Sequence, residues 1–421
     1  MMFADYIDDL GRPGLQFETI IGVELNRLRL VLTDTQAWGL SVEVRLLSTK
    51  QANEVVYGFA DGTRAFLTFE QLPQNRVRIR LHHDNSAAAT LDYQAFWQDL
   101  IGLAKKRLTA EPLAVATAPA KLNIFFKVGN RKADGYHDVV SIYQELSIRE
   151  TVIVSTSHDW SLAISGTIPE EHLLGIPLDG NNLAFKAVKF LAEKANLVQP
   201  LPVAIGIDKN APVAGGMGGG SADAAAAMVA ANELWASGLS MAQMTEAAVE
   251  LGADVPFALM GGTAIGTGRG DRLSPVLTSH EHFEWVLVPA DFGLSTPAVY
   301  GELDAHRERH IADIKPAPQS PTVDTAVLQA LRAGDPVMLA DALSNDLQAP
   351  ALHLQPSLVD ILELGEKSGA LAGIVSGSGP TLAFLAEDAE AAIDLQVTLS
   401  AAGHPVLRVS GPVHGARVVN D

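Results

Sequence analysis

The sequence predicts an α+β protein, with an extra small α+β domain ahead of a larger body. Three observations carry this. Stretches of period-two alternation, such as Arg76-Val77-Arg78-Ile79-Arg80-Leu81, read as half-buried strands. Apolar residues at helical spacing, such as Tyr93, Trp97, Leu100, Ile101, Ala104 and Leu108, read as an amphipathic helix. The length of 421 residues suggests two or three domains at roughly 150 residues each.

The first block covers residues 1–111. Arg64 to Glu70 and Arg76 to Leu81 are its strands, and the Tyr93–Leu108 helix closes it, with Lys105, Lys106 and Arg107 in the last turns where cations suit the helix dipole. Thr109-Ala110-Glu111-Pro112 reads as a short linker. The second block, 113–280, sets strand-like Val152–Val154 and Val203–Ile207 among helical segments such as Leu183–Lys194. The third, 281–421, opens on the apolar strand Trp285–Val288. It continues through helical patterns near 325–345 and 357–368. It ends with strand-like Gly373–Val375 and Leu382–Leu385.

Composition removes several function classes. With no cysteine, a disulfide framework, a Cys-ligated zinc site and a catalytic thiol are excluded. A net charge of −19 argues against a nucleic-acid binder, which needs a basic face. The start, Met1-Met2-Phe3-Ala4-Asp5, is acidic rather than basic, and no apolar run is long enough to span a bilayer. The expectation is a soluble cytoplasmic protein without a membrane partner.

The strongest chemical signal is Pro212-Val213-Ala214-Gly215-Gly216-Met217-Gly218-Gly219-Gly220-Ser221-Ala222-Asp223, followed at once by an alanine-rich helix. Five glycines in the six positions 215–220 let backbone N–H groups approach a ligand closely. The helix start adds free N–H groups and the positive end of its dipole. Together they suit a phosphate. Ser221 could cap the helix or offer its hydroxyl to phosphate or Mg²⁺. No lysine follows the glycines, so the loop is not a Walker A motif, and the G-x-G-x-x-G spacing fails at Ser221. The competing reading is an idle surface loop, against which stands the entropy lost in ordering so many glycines.

Ala118–Phe126 reads as a strand on which Lys121 and Asn123 share one parity and hence one face. A cation beside an amide suits a ligand with an oxyanion and a hydrogen-bonding edge, although a solvated strand face would look the same. Asp134-Gly135-Tyr136-His137 combines a turn with an aromatic face and a polar edge, a pairing used for nucleobases; His137 could equally be an ordinary turn residue. Asp254, in Gly252-Ala253-Asp254-Val255-Pro256-Phe257, is either the N-cap of a short helix or a carboxylate that orients a hydroxyl. Gly261-Gly262-Thr263-Ala264 and Gly266-Thr267-Gly268-Arg269-Gly270-Asp271 read as hairpin turns, and Ser376-Gly377-Ser378-Gly379-Pro380-Thr381 as a tight turn between strands.

Taken together and in this order, the glycine loop, Ala118–Asn123, Asp134–His137, Gly252–Phe257, Asn345-Asp346-Leu347 and Ser376–Thr381 resemble the motifs of the GHMP small-molecule kinases. The likeness covers residues 113–421. It is strongest to members whose small-molecule substrate carries a cytidine diphosphate on methylerythritol. The resemblance implies a two-lobed fold, an ATP-binding lobe over 113–280 and a C-terminal lobe over 281–421. It implies transfer of phosphate from ATP, with Mg²⁺, to the substrate's 2-hydroxyl in the non-mevalonate isoprenoid pathway. Lys121 and Asp254 carry over as the catalytic pair. Pro212, Val213, Ala214, Gly215, Gly216, Met217, Gly218, Gly219, Gly220, Ser221 and Ala222 would hold the ATP phosphates. Asn123, Tyr136, His137 and Tyr300 would contact substrate, with His137 on the cytosine edge and the two tyrosines sandwiching the ring. No side chain is assigned to a metal. Met217 stands where the family usually has Leu, and Ala222 where Ser is frequent. Neither change removes a backbone donor. The first block has no counterpart in a typical member. Residues 15–108 resemble a START-like helix-grip domain, with Asn26–Trp38 as its early helix and Tyr93–Leu100 in its closing one.

Overall fold

The computed structural model describes residues 2–7, 13–21, 28, 32, 44–48, 54–60, 62–72, 76–84, 92–110, 113–195, 197, 202–213, 215–279, 282–290, 292–310 and 316–419. The first sheet takes β1 (Met2–Ile7), β2 (Pro13–Ile21), β3 (Val44–Ser48), β4 (Glu54–Phe59), β5 (Arg64–Leu72) and β6 (Arg76–Asp84). It is antiparallel in the order β1-β2-β6-β5-β4-β3. Alternation does what the sequence predicts: Tyr57, Leu67 and Ile79 point inward and are buried. Helix α1 (Tyr93–Ala110) covers that face with Tyr93, Phe96, Trp97, Leu100, Ile101 and Ala104. Burying Leu100 and Ile101 contributes about 1.5–3 kcal/mol each. The Trp97 indole N–H donates to His83 Nδ1 at 3.0 Å, so this buried donor is satisfied. The side chains of Lys105, Lys106, Arg107 and Leu108 lie outside the described residues. So does the helix expected over Asn26–Trp38, apart from Leu28 and Leu32.

The second sheet is built on two long antiparallel strands, β7 (Leu113–Arg131) and β8 (His137–Thr156). The register of β7 and β8 shifts at Pro119/Lys121 and again at Asn123/Phe125, on either side of the two polar residues singled out above. Bulges of this kind re-aim side chains beside functional sites. Next come β9 (Ser161–Gly166), α2 (Glu170–Leu174), α3 (Leu183–Lys194) and β10 (Val203–Lys209). Then follow α4 (Gly219–Leu234), α5 (Met241–Ala248), α6 (Val255–Met260), β11 (Thr263–Gly268) and β12 (Arg272–Pro275). Strand β8 meets β11 along its first half and β10 along its second. Helix α4 is buried from Ala222 to Ala231. Its alanines let it lie close against α3, β7 and β8.

The third sheet is four-stranded. Its chain order is β13 (Phe283–Val288), α7 (Thr296–Arg309), α8 (Thr325–Ala333), α9 (Pro336–Ala342), β14 (Ser344–Asn345), α10 (Gln348–Leu354), α11 (Ser357–Lys367), β15 (Ala372–Val375), β16 (Leu382–Ala386), α12 (Ala389–Ala401), β17 (Leu407–Gly411) and β18 (Arg417–Val418). The sheet itself runs β15-β16-β13-β17, whereas β14 and β18 leave it and pair with β7. The C-terminal block therefore completes the sheet of the middle one. A continuous apolar core joins the two: Leu122, Ile142 and Met217 pack with Trp285, Leu331 and Leu385. Across it the Trp285 indole N–H donates to Gln144 Oε1 at 2.9 Å.

The glycine-rich hairpin differs from expectation. Gly266, Thr267 and Gly268 belong to β11, and the turn is Arg269-Gly270-Asp271. The reason is Tyr143 on the neighbouring strand. A Cβ at Gly266 would lie 2.4 Å from its ring, and one at Gly270 2.4 Å from its hydroxyl. These glycines make a slot for an aromatic side chain.

Candidate active site

The glycine loop, β7 and the start of α6 converge on one point, Gly218. Gly218 is the N-cap of α4 with φ +69, and no side chain caps this helix. Ser221 is therefore not the cap: it lies in the first helical turn, where its N–H donates to Gly218 O at 2.9 Å. Its hydroxyl is left for another partner. The α4 dipole and its open N–H groups face the loop, an arrangement that favours an anion. Ala214 lies outside the described residues. Gly215 and Gly216 press against the Ser376–Thr381 turn. A Cβ at Gly215 would fall 2.4 Å from Thr381 Oγ1, and one at Gly216 2.6 Å from Ser376 O. The Ser376 hydroxyl donates to Gly216 O at 3.3 Å. Pro212 and Val213 lead into the loop half-buried, whereas Met217 and Ala222 are buried.

Lys121 enters from β7. Its backbone N–H donates to Met217 O at 2.9 Å, which ties the strand to the loop. Its ammonium donates to Asn123 Oδ1 at 2.5 Å, and Asn123 Nδ2 donates to Ser141 Oγ at 2.7 Å. Ser141 in turn donates to Phe125 O at 3.0 Å. The shared parity of Lys121 and Asn123 is thus a buried relay, not a solvated face. Burial lowers the Lys121 pKa below the ordinary lysine value, and the negative charge of Asp254 opposes the shift. The ammonium also lies 5.6 Å from the centre of the Tyr143 ring. Burial raises the Tyr143 phenol, with Asp254 adding to the rise, so it stays protonated.

Asp254 precedes α6, with Pro256 in the first turn, but its side chain makes no capping hydrogen bond. The carboxylate is not spent on the helix. A Cβ at Gly218 would sit 3.1 Å from Lys121 Cγ and 3.9 Å from Asp254 Oδ2, so both side chains border the same glycine. Gly377 closes the opposite wall: its Cβ would be 3.1 Å from Asn123 Oδ1 and 4.0 Å from Lys121 Nζ.

Beneath the loop is a cluster that the motif analysis missed. The Lys209 ammonium donates to Glu150 Oε1 at 2.7 Å and to Asp223 Oδ2 at 2.8 Å, all three being buried. A Cβ at Gly219 would touch Glu150 Oε1 at 3.1 Å and Lys209 Nζ at 3.2 Å. Burial pushes Glu150 up to about 8 despite Lys209, and raises Asp223 as well. The visible signal was a charged residue in each of three apolar segments, since buried charges must be paired.

The second part of the site is a cavity of about 450 Å³ lined by Tyr136, His137, Tyr300, Arg269, Arg131 and Asp304 among others. The structure brings together here the three aromatic residues expected to bind substrate. The His137 and Tyr300 rings lie 5.2 Å apart at 36°. His137 Nε2 and Asp304 Oδ1 are 2.9 Å apart, a contact that fixes the imidazole. Burial pushes the Tyr300 phenol up to about 12. Tyr136 is 56% exposed, and the Arg269 guanidinium lies 3.9 Å from its ring centre. Arg269 and Asp304 were not legible as site residues, because their partners are far away in sequence. No helix among the described residues is long and apolar enough to cross a membrane.

Comparison with known proteins agrees with this geometry. The sequence matches the GHMP kinases N terminal domain over residues 182–262 and the GHMP kinases C terminal domain over 327–404. It is 57% identical over 304 residues to a 4-diphosphocytidyl-2-C-methyl-D-erythritol kinase of Leifsonia xyli, covering 72% of this chain and 98% of that one. A protein of the same name from Nocardia farcinica is 49% identical over 72% of this chain and 95% of its own. Among solved structures, a 4-(cytidine 5′-diphospho)-2C-methyl-D-erythritol kinase aligns with a TM-score of 0.56 at 27% identity, over 71% of this chain and 99% of that one. A homoserine kinase from Cytophaga hutchinsonii, 16% identical with a TM-score of 0.55 over 74% and 98%, shares the fold. More than a quarter of this chain lies beyond what these relatives cover. The remainder, with its loop, its relay and its two-sheet body, belongs to the 4-diphosphocytidyl-2-C-methyl-D-erythritol kinase family of ATP-dependent GHMP kinases.

Proposed function

We infer that the protein transfers the γ-phosphoryl group of ATP to the 2-hydroxyl of 4-diphosphocytidyl-2-C-methyl-D-erythritol, a step in the non-mevalonate route to isoprenoid precursors. The observation that carries this reading is the meeting at Gly218 of a phosphate-suited helix start, a buried lysine and an uncommitted carboxylate. An aromatic cavity lined by His137 accompanies it.

In this reading the loop from Pro212 to Ala222 binds the triphosphate through backbone N–H groups. Asp254 orients the acceptor hydroxyl and takes its proton as the new O–P bond forms and the β–γ bridge breaks, releasing ADP. Phosphoryl transfer asks mainly for positioning and charge neutralisation. Lys121, held by Asn123, balances charge on the moving group. His137 reads the cytosine edge while Tyr300 and the face of Tyr136 not covered by Arg269 enclose the ring.

Mg²⁺, when bound, supplies charge neutralisation on the triphosphate. The residues present fit a metal that arrives with the nucleotide: the Ser221 hydroxyl is free of capping. Among the described residues, no group of three or more His, Asp or Glu side chains could hold the ion by themselves. A cytoplasmic location and the division at 111/113 and 280/281 belong to the same proposal. Residues 1–111 act in it as a companion domain.

The test is direct. Incubating the protein with ATP, Mg²⁺ and 4-diphosphocytidyl-2-C-methyl-D-erythritol should give ADP and the 2-phosphate. No turnover, with ready phosphorylation of homoserine or mevalonate, would move the chain to another GHMP specificity.

A further inference from the structure

The two nucleotide-like ligands of this reaction meet unequal surroundings. One triphosphate has the glycine loop and a helix start. The other ligand carries a diphosphate beside an aromatic cavity whose lining includes the separate glycines Gly135 and Gly301 and two arginines, Arg131 and Arg269. Its charge must be met by side chains.

Arg269 is placed for this. It sits at the first position of the β11–β12 turn, which Asp271 fixes by accepting from the Arg269 backbone N–H at 3.1 Å. Its guanidinium stacks on Tyr136 at 3.9 Å, and its side chain is 60% exposed at the cavity. Stacking engages the flat face and leaves the N–H edges free. Among the described residues the charge meets only Asp134 Oδ2, at 3.6 Å, beyond hydrogen-bond distance. Arg131, the other arginine on this cavity, instead faces Asp304 at 3.8 Å, and Asp304 is already engaged with His137. Arg269 thus presents a planar donor fork, without a hydrogen bond among the described residues, against the ring proposed to hold the base. A base stacked on Tyr136 would carry its diphosphate within reach of that fork, and Arg matches phosphate oxygens in pairs.

Resting on the reading above, we propose that Arg269 is a further substrate-binding residue, whose guanidinium holds the diphosphate of the cytidine-bearing substrate. Asp134 positions the guanidinium when no substrate is bound.

The experiment compares CDP with cytidine, using the full chain and calorimetric titration of each. Arg269→Ala should weaken CDP binding by about tenfold or more, the scale of a charge-assisted pair. Cytidine binding should change by less than about twofold, and the KM for the substrate should rise while that for ATP holds. Arg269→Lys should restore part of the loss, because it keeps the charge without the fork. An equal loss for cytidine and CDP would reduce Arg269 to a prop for Tyr136. Unchanged or tighter CDP binding would make it a plug over the cavity. Either result overturns the proposal. A wild-type protein that fails to phosphorylate the substrate would sink the functional reading instead, so the two failures are told apart.

Discussion

At the loop end of the site the walls are backbone. Gly215, Gly216, Gly218 and Gly219 each have a neighbour between 2.4 and 3.2 Å from where a Cβ would lie. At the cavity end the walls are side chains: Tyr136, His137, Tyr300 and Arg269 present rings and a guanidinium to open space. A phosphate is the same on every ATP, and fixed amides bind it without reading anything more. A base must be told from other bases by the donors and acceptors it meets, and side chains can vary that pattern. The loop end should therefore fail abruptly on substitution, and the cavity end by degrees.

The largest effect sought is at the convergence point. Asp254→Asn and Lys121→Ala should each lower kcat by about 10²–10⁴-fold while ATP still binds, which a nucleotide titration would show. Rates close to wild type would remove these two residues from the chemistry. Gly218→Ala should cost about 10²-fold in kcat/KM, since its φ of +69 disfavours a side chain and its Cβ would displace Lys121. If Gly218→Ala behaves like a cavity substitution, with a graded loss, the contrast between the two ends is wrong. Tyr300→Ala should raise the KM for the cytidine substrate about tenfold, the value of one stacked base, with the KM for ATP unchanged.

A smaller effect concerns the charges under the loop. Burial pushes Glu150 up to about 8 in the folded protein, well above its ordinary 4.5, so the folded state binds this proton more tightly. Stability should then fall as pH rises from about 4.5 to about 8 and level off above. Lys209 is raised above its ordinary value, and its contribution is lost only at higher pH, outside that window. Thermal melts across the range should show the slope, and Glu150→Gln should reduce it, leaving the part due to Asp223, which is also raised. The smallest effect belongs to the first block: a chain beginning at Leu113 should keep kcat within about twofold of the intact protein. Loss of activity would tie residues 1–111 to the site.

Much of this was legible because it is written locally. The parity of Lys121 and Asn123 follows from strand geometry, and the loop glycines are adjacent in sequence. The Leu183–Lys194 helix has the bounds its spacing suggested. What escaped depends on long-range pairing. Asp304 meets His137 from 167 residues away. Gly266 and Gly270 looked like turn punctuation, but they yield space to Tyr143, whose apolar strand gave no hint of a neighbour in that slot. Asp254 showed both a capping and a functional pattern. Only the missing capping bond separates them.

Residues 417–418 return to the strand that carries Lys121. Arg417 and Val418 pair with Thr117 and Ala116, four to five positions before Lys121. Arg149, on β8, donates to His414 O at 2.8 Å and to Gly415 O at 2.7 Å. In the order of synthesis, the strand that carries Lys121 emerges early but waits for residues some 300 positions later, Arg417 and Val418, to be covered. A message truncated just before residue 414 would encode nearly every site residue and still yield an unfinished sheet. The lobe in which ATP would sit is thus closed by residues that lie far along the chain from its glycine loop.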